Sequence, residues 1–222
     1  MTYEIAIEKL NNWKNVSLNE NLKWFNNFKK KKFSIKKKSL LKLKDWVFDI
    51  KKGMIYHKSN KFFTIEGFSI RDVNREVSSW DQPLVKQVGY VGGIIGLIRS
   101  NIDGIPHYLV QAKFEPGNYG LIQLSPTVQA TFSNIKRVHK GKQNKLLKKF
   151  YSSHSKTIVK KPVSEDGGRF FKKTNIHWIV NYSGPNFSID ESFKWLTYYE
   201  IERMIKYKSI VNPHLRAILS LL

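Results

Sequence analysis

Apolar residues recur at every second position from Trp46 to Ile70, in short runs that are broken by turn residues. The runs read DWVFDI, MIYHK and KFFTIEGFSI, and they are separated by Gly53 and by the pair Ser59-Asn60. A period of two is typical of strands with one face against a core, and these separators are typical of turns. The pattern therefore predicts a β-meander.

A second pair of strands is predicted where IIGLIRS and HYLVQAKF flank NIDGI, because Asp103-Gly104 is a hairpin turn signal. Alternation along the second strand directs one set of residues toward the core, namely Tyr108, Val110, Ala112 and Phe114. The opposite face carries His107, Gln111, Lys113 and Glu115. TVQATFS alternates in the same way, with Val128, Ala130 and Phe132 inward and Thr127, Gln129, Thr131 and Ser133 outward. We expect both strands to present polar faces.

Helices are predicted before and after the strands. Ser17 and Glu20 have the spacing of a capping box, and so do Thr197 and Glu200, while Asn212 precedes a proline that can begin a last helix. A short basic helix is expected over 145–151. Strands in the middle with helices at both ends predict an α+β fold, in which a mixed sheet is layered with helices.

The 222-residue chain carries 39 Lys and Arg against 17 Asp and Glu, a formal net charge of +22. Such a surplus ordinarily indicates a polyanionic partner. Lysine dominates arginine, however, although the arginine fork is what base-edge recognition favours, and no nucleic-acid-binding motif is present. The pattern therefore favours a solvated, anion-attracting surface over a nucleic-acid site.

The sequence also disfavours a membrane protein and any chemistry that needs cysteine. No apolar run approaches the roughly 20 residues that span a bilayer, and the sequence MTYEIAIEKL lacks the pattern of a secretory signal. The absence of cysteine excludes disulfides, thiolate nucleophiles and cysteine-based metal sites. We expect a cytoplasmic protein with no membrane partner.

One long segment is nearly free of charge in this basic chain. It reads EPGNYGLIQLSPTVQATFSN and runs from Glu115 to Asn134. Its side-chain amides and hydroxyls are donors and acceptors suited to sugar hydroxyls. We interpret the segment as the lining of a sugar pocket, and the alternative is an exposed threonine-rich strand.

No motif in the sequence supports a metal-dependent reaction. Arg75-Glu76-Val77 is similar to the end of a Nudix box, which holds Mg²⁺ through carboxylates. The glycine and glutamates that this box also requires are replaced by Lys61, Gly67, Ser79 and Trp80. The histidines lack zinc-site spacing, and no dinucleotide, Walker or serine-nucleophile motif is present. We expect neither a metal nor a cofactor.

Several blocks of the sequence together resemble one enzyme family. In order, they are HKSNKFFTIEGFSI, REVSSWDQPL, HYLVQAKFEPGN, LSPTVQATFSN, RVHKGK, SEDGGRF, FKWLTYYEI and VNPHLRAIL. Their order and spacing are similar to those of the nucleotide-hexose 2,3-dehydratases, from about Trp46 to the C-terminus. The resemblance implies a Nudix-like catalytic domain over 45–222, preceded by a helical, lysine-rich segment over 1–44.

The resemblance also implies an activity and partners. Members of this family are hydro-lyases that remove water across C2 and C3 of dTDP-4-keto-6-deoxyglucose, without a metal or redox cofactor, on the route to 2,6-dideoxysugars. The product then passes to a 3-ketoreductase. Family members are usually tandem duplications and this sequence holds one copy, so we predict a homodimer in which two chains replace the two halves.

The residues expected to carry the chemistry lie in the matching blocks. Glu115 is the first candidate for the base that removes the C3 proton, beside Lys113, and Glu165 is the second carboxylate to test. His107 is the imidazole that could serve as the acid, and Arg169 could stabilise an enolate or a phosphate. Alternatively, Glu115 is a surface ion pair or a turn-capping carboxylate.

A second set is expected to bind the substrate. It comprises Arg75, Trp80, Gln111, Thr127, Gln129, Thr131, Asn134, Gly168 and Trp195. Arg75 would hold the diphosphate, Gly168 would let backbone N–H groups approach an anion, and the two tryptophans would stack on thymine. The alternative for each tryptophan is a place in the core.

Two other functions remain open from the sequence. One is a non-catalytic subunit that binds a nucleotide sugar, because a single copy could retain the pocket without full activity. The other is a basic nucleic-acid-binding protein, which would bind oligonucleotides in a salt-sensitive and sequence-blind way.

Overall fold

The computed structural model describes residues 7–9, 17–29, 33–89, 92–131 and 145–222. These ranges form two β-sheets, and helices pack on the larger one. The predicted α+β class is confirmed. No helix in these ranges is both long and apolar enough to cross a membrane.

The smaller sheet is a four-stranded meander. Its strands follow the chain order, each antiparallel to the next: β1 (Trp46–Asp49), β2 (Met54–His57), β3 (Phe63–Ile70) and β4 (Trp80–Gln87). Gly53 and Asn60 lie in the first two turns with φ of 63° and 51°, as turn residues commonly do. The predicted meander is therefore confirmed, and β4 extends it.

The larger sheet has seven strands. They are β5 (Gly93–Ile102), β6 (Ile105–Phe114), β7 (Ile122–Ser125), β8 (Val128–Thr131), β9 (Ser155–Ser164), β10 (Thr174–Tyr182) and β11 (Phe193–Leu196). The main order is β11-β6-β5-β10-β9, with β7 beside β6 and β8 beside β5. The β5–β10 pair is parallel, so this sheet is mixed.

The predicted hairpin joins β5 to β6. Asp103 and Gly104 have φ of 51° and 78°, and two positive φ angles in a two-residue loop match the type I′ turn that their sequence favours. Pairing runs from Ile102–Ile105 only as far as Ile98–Leu109. Beyond that point the two strands separate.

The gap between the separated strands is filled by β7 and β8. The backbone of β8 pairs with the first residues of β5, and β7 pairs with the last residues of β6. Thr127 lies at the branch, fully buried, where its hydroxyl accepts a hydrogen bond from the Ile98 N–H at 3.0 Å and donates to the Leu109 carbonyl. The branch thus leads into β7 and β8, which lie beside the separated ends of β6 and β5.

Within the described ranges, the sheets are accompanied by the α-helices α1 (Leu18–Lys29), α2 (Tyr198–Tyr207) and α3 (Pro213–Leu219). Both predicted capping boxes are present, at Ser17 with Glu20 and at Thr197 with Glu200. Asn212 caps α3 by accepting from the Leu215 N–H at 2.8 Å. The predicted basic helix is a 3₁₀ helix, Lys145–Tyr151, and a second 3₁₀ helix spans Leu40–Lys42.

The helices and one face of the larger sheet share a core. Its buried side chains include Phe25 of α1, Met204 of α2, Leu215 of α3 and Tyr108 of β6. Because α1 contributes to the same core as the strands, it packs as part of the main body. The expected division between 1–44 and 45–222 stays a prediction.

The β6 alternation is confirmed for the core face, where Tyr108, Val110 and Ala112 are buried and Phe114 packs against the same core. The opposite face differs from the expectation along its first half. His107 is only 2% exposed there. This face of β6 is polar and accessible only toward its end, which is where Lys113 and Glu115 lie.

A second core covers the other face of the sheet, where the 3₁₀ helix Lys145–Tyr151 packs on β5 and β10 through Phe150 and Trp178. Gly96 is required for this packing, since a Cβ at this position would lie 2.5 Å from the Phe150 ring. Val128 and Ala130 of β8 are buried in this core, as predicted. Phe132 and Ser133, which were predicted to continue the alternation, lie outside the described residues.

Candidate active site

Glu115 lies directly after β6, at the end of the sheet where β6 and β8 come together. Its Oε1 accepts a hydrogen bond from Gln129 Nε2 at 2.9 Å and lies 2.9 Å from Lys113 Nζ. The Glu115 side chain is 32% exposed. The carboxylate is therefore held by two side chains and is still accessible to a ligand.

The amide of Gln129 connects Glu115 to the beginning of α3. Asn212 Nδ2 donates to Gln129 Oε1 at 3.1 Å and to Ser125 Oγ at 3.0 Å, while its Oδ1 caps the helix. Asn212 is 1% exposed, so this connection is fixed by buried hydrogen bonds. The first turn of α3 is thereby held over β7 and β8.

Glu165 approaches the same place from the turn between β9 and β10. Its Oε1 accepts a hydrogen bond from Asn175 Nδ2 and lies 3.9 Å from His214 Nε2. Asn175 itself lies against Gly93, where a Cβ would be 2.8 Å from Asn175 Oδ1 and 2.7 Å from the Ala130 carbonyl oxygen. Only glycine at this position leaves room for the side chain that orients Glu165.

His214 is in the first turn of α3, and its ring stands between charges of both signs. Burial lowers its pKa most strongly, Glu165 and Glu115 raise it, and Lys173 and Lys113 lower it, so that the net shift is downward. Both carboxylates therefore act electrostatically on one imidazole. This is the relation that acid–base chemistry requires.

His177 of β10 lies near His214. Burial and the neighbouring His214 lower its pKa to about 4, so this ring is neutral at pH 7. It is 3% exposed, and its Nδ1 has no hydrogen-bond partner in the described part of the chain. His177 is thus an uncharged, buried neighbour of His214.

We refer to Lys113, Glu115, Glu165 and His214, together with the amides of Gln129, Asn175 and Asn212, as the acid–base cluster. Two carboxylates and an imidazole there can exchange protons with a bound molecule, and the amides can bind its hydroxyls. Within the described ranges, no group of three or more Asp, Glu or His side chains has a metal-binding arrangement.

A cavity of about 420 Å³ adjoins the turn that carries Glu165. Its lining consists of Arg75, Glu76, Val77, Trp80, Gln82 and Gly168. Gln82 Nε2 donates to the Gly168 carbonyl at 3.0 Å, and the Arg75 guanidinium lies 5.6 Å from the centroid of the Trp80 ring. Since Gly168 follows Glu165 by three residues, this cavity and the acid–base cluster share the same turn.

Arg169 lies in that turn with an 80% exposed side chain, and its Nε is 3.6 Å from Asp166 Oδ2. Eight of the residues predicted from the sequence to bind or catalyse therefore lie around this turn or in the acid–base cluster, namely Arg75, Trp80, Lys113, Glu115, Gln129, Glu165, Gly168 and Arg169. Their predicted roles stay predictions.

Other predicted residues lie apart. His107 and Trp195 are near the hairpin end of the larger sheet, the Thr127 hydroxyl is used by the backbone, and Gln111 donates to Ser192 Oγ at 3.2 Å. Thr131 is the last residue of β8, next to Gly93 in the register. Asn134 lies outside the described residues.

The residues that the sequence analysis did not place in the site are His214, His177 and Asn175, together with Asn212, for which it predicted only helix capping. The resembling block VNPHLRAIL contained His214, and the polar character of Asn175 and His177 in an otherwise apolar strand was the other signal. Buried polar side chains are the unusual ones in a core strand. The polar residues Asn175 and His177 were therefore a sequence signal for the beginning of β10 as part of the site.

Comparisons with known proteins identify relatives of this chain. Each of the following is named dTDP-4-dehydro-6-deoxy-alpha-D-glucopyranose 2,3-dehydratase. The protein from Amycolatopsis orientalis is 35% identical over 196 residues, which are 86% of this chain and 41% of the relative. Those from Saccharopolyspora spinosa and Streptomyces violaceoruber are 34% and 33% identical and cover 81% and 85% of this chain, but 36% and 42% of the relatives. The chain thus spans about 40% of the length of these relatives.

Similarity to solved structures is weak. An Ap4A hydrolase from C. elegans has a TM-score of 0.37 at 14% identity, covering 59% of this chain and 93% of that one. The Nudix hydrolase RenU from M. smegmatis has a TM-score of 0.37 at 12% identity, covering 69% and 91%. Nudix proteins are therefore among the structural neighbours, but a TM-score of this size carries no conclusion about mechanism.

The family model described as NDP-hexose 2,3-dehydratase matches residues 18–222, which include α1, α2, α3, both sheets and the acid–base cluster. This range also includes α1, which the blocks quoted above did not cover. Together with the identities of 33–35% to the relatives, the match confirms the predicted family. The chain belongs to the NDP-hexose 2,3-dehydratase family.

Proposed function

We propose that this chain is a hydro-lyase that removes water across C2 and C3 of dTDP-4-keto-6-deoxyglucose to give a 3,4-diketo-2,6-dideoxy sugar. The observation that carries the proposal is the convergence of Glu115, Glu165 and His214 at one accessible place beside a cavity. The names of the relatives support the substrate, since each contains this sugar nucleotide and the word dehydratase.

The chemistry needs only acids and bases. The C4 ketone acidifies the C3 proton, and a base removes that proton to leave an enolate. The enolate electrons then form the C2–C3 double bond as the C2–O bond breaks, and the hydroxyl leaves as water after it takes a proton from an acid. The resulting enol gives its O–H proton away, gains one at C2, and becomes the diketone.

Glu115 is our first choice for the base, because its carboxylate is accessible and oriented by Gln129. Lys113, 2.9 Å from Glu115, is placed to stabilise the negative charge that develops on the C4 oxygen. General acid–base assistance of this kind is worth about 10²–10⁴-fold in rate. The opposite assignment, with Glu165 as the base, is the alternative.

His214 takes the acid role that the sequence analysis gave to His107. Its Nε2 is 3.9 Å from Glu165 Oε1, so the imidazole and the carboxylate can share a proton on the side of the leaving hydroxyl. His107 instead lies buried near the far end of β6, with its Nδ1 2.8 Å from the Ile105 carbonyl. The location of His214 beside Glu165 supports its assignment as the acid.

In this proposal the nucleotide binds in the cavity beside the Glu165 turn. Trp80 offers a ring for stacking on the base, and Arg75 and Arg169 are cations for the diphosphate. The surplus of lysine would attract this anionic substrate over a distance, an effect that decreases with salt.

A homodimer, a cytoplasmic location and a 3-ketoreductase that consumes the product remain parts of the proposal. Sedimentation velocity tests the first of these, since a monomer at all concentrations would contradict it. The runner-up function is a subunit that binds the nucleotide sugar without turning it over, and a basic nucleic-acid-binding protein is the less favoured alternative.

The test is incubation with dTDP-4-keto-6-deoxyglucose in deuterated buffer, followed by mass spectrometry and NMR of the sugar. Loss of one water, with release of dTDP as the diketone decays, supports the lyase. An unchanged sugar that protects the chain against thermal unfolding would support the binding subunit instead. His214→Gln should retain deuterium exchange at C3 while losing most of the elimination, whereas Glu115→Gln should lose both.

A further inference from the structure

A second cavity lies at the opposite end of the larger sheet from the acid–base cluster. It has a volume of about 540 Å³, within the range of small-molecule sites. Its lining includes Asn101, Asp103, Tyr182, Asn186, Phe187 and Trp195, and we call it the Trp195 pocket. Strand β10 runs from Asn175 at the cluster to Tyr182 at this pocket, a distance of about 23 Å at ~3.3 Å per residue.

Three aromatic rings form one wall of the Trp195 pocket. The ring centroids of Trp195 and Phe187 are 6.3 Å apart with an interplanar angle of 62°, and those of Phe187 and Tyr182 are 5.4 Å apart at 84°. Such edge-to-face contacts fix the orientation of each ring against its neighbour. The wall is therefore preformed.

Lys149 stiffens this wall. Its Nζ lies 4.8 Å and 4.5 Å from the ring centroids of Tyr182 and Phe187 and donates to the Tyr182 hydroxyl at 3.0 Å. That hydroxyl in turn donates to the Pro185 carbonyl at 3.0 Å. The ammonium is thus directed at the aromatic rings and a phenol.

Polar side chains also line the same cavity. In the part of the chain that the structure describes, neither the indole N–H of Trp195 nor the side-chain amides of Asn101 and Asn186 make a hydrogen bond. Asp103 adds a carboxylate from the hairpin turn. Amides and a carboxylate bind hydroxyls, whereas the carboxylate repels a phosphate.

We propose that the Trp195 pocket is a second ligand site, separate from the reaction site, that binds a neutral sugar ring. The apolar C–H face of a pyranose packs on the indole, and its hydroxyls hydrogen-bond to Asn101, Asn186 and Asp103. This inference goes beyond the proposed reaction and does not depend on it. It gives Trp195 a sugar as its ligand in place of the thymine base expected from the sequence.

The test is ¹⁹F NMR of the full chain with 5-fluorotryptophan at its six tryptophans. Trp195→Phe and Trp80→Phe each remove one signal and thereby assign the reporters of the two cavities. The probes are methyl α-glucopyranoside, methyl α-rhamnopyranoside, dTDP-glucose, thymidine and dTDP. The methyl glycosides represent a free sugar, whereas dTDP-glucose presents the same type of ring attached to a nucleotide.

We expect the methyl glycosides to shift the Trp195 signal in a saturable way and to leave the Trp80 signal unchanged. Asn101→Ala and Asn186→Ala should each weaken this binding by about fivefold, the effect of one lost hydrogen bond. A response to dTDP-glucose and to neither methyl glycoside would show that the nucleotide-linked sugar is the ligand.

Two results would overturn the inference. One is a shift of the Trp195 signal by thymidine or dTDP without any response to the three sugars, which would make the pocket a nucleoside site. The other is an unchanged Trp195 signal with every probe in a chain whose Trp80 signal responds to dTDP. If the chain does not turn over dTDP-4-keto-6-deoxyglucose but its Trp195 signal responds to the sugars, only the proposed function is contradicted.

Discussion

Gly93 connects the packing of the larger sheet to the orientation of a carboxylate, so its replacement by alanine tests both. An added Cβ would lie 2.7 Å from the Ala130 carbonyl oxygen and 2.8 Å from Asn175 Oδ1. The carbonyl belongs to the paired backbone of β8 and moves little. We therefore expect the Asn175 side chain to yield, and Glu165 to lose its hydrogen-bond donor.

The Gly93→Ala replacement has two expected effects, one on stability and one on turnover. Overpacking of this kind destabilises a protein by about 1–3 kcal/mol, which in a chain of this size lowers the melting temperature by about 2–4 °C for each kcal/mol. A hydrogen bond to a charged group is worth about 1.5–3 kcal/mol. If the transition state loses the full free energy of this hydrogen bond, turnover falls by about 10- to 100-fold.

Gly96→Ala is the matched control. Its Cβ would lie 2.5 Å from the Phe150 ring, so it should destabilise the chain comparably, but Phe150 belongs to the core on the other face of the sheet. The assay is water loss from the ketosugar per folded molecule, together with melting followed by circular dichroism. The reasoning fails if Gly93→Ala melts like the unmodified chain, or if both variants lose turnover equally.

The remaining predictions concern single side chains. Glu115→Gln should fold normally and lose about 10²–10⁴-fold in turnover, and a folded variant with near-normal turnover would remove Glu115 from the mechanism. His177 has its pKa lowered to about 4 from an ordinary value of 6.5, so the unfolded chain binds the extra proton and stability falls as the pH drops from about 6.5 toward 4. Urea unfolding at pH 7 and pH 5 should show this loss, and His177→Asn should reduce it. Thr127→Val should leave the Ile98 N–H without its acceptor and cost about 1–3 kcal/mol in unfolding free energy; equal urea midpoints would contradict that role for the branch.

Local signals predicted the local structure well. The hairpin turn at Asp103-Gly104, the capping boxes and the helix start at Asn212 all depend on residues a few positions apart, and all are present. Strand β4 was harder to predict because Pro83 and polar residues interrupt its pattern. Strand β9 is an exposed edge rich in lysine, and such a strand has little apolar alternation to detect.

The site could be predicted only in part, because its members meet through pairings that the sequence does not reveal. Glu115 and Glu165 were recognised as carboxylates in polar turns, and both lie in the acid–base cluster. His107 and His214 each follow a proline and look alike in sequence. The docking of α3 on β7 and β8 distinguishes them, and that contact is set by buried partners such as Asn212 and Ser125.

The position of α3 near the end of the sequence determines when the acid–base cluster can form during synthesis. The acid–base cluster draws on β6, β8, the β9–β10 turn and the first turn of α3, and the parallel β5–β10 pair joins segments far apart in the chain. Contacts between distant segments form late and slowly in folding. A nascent chain that has reached only residue 200 would contain both carboxylates but neither Asn212 nor His214, so the acid–base cluster is completed only after α3 has been synthesised and has docked.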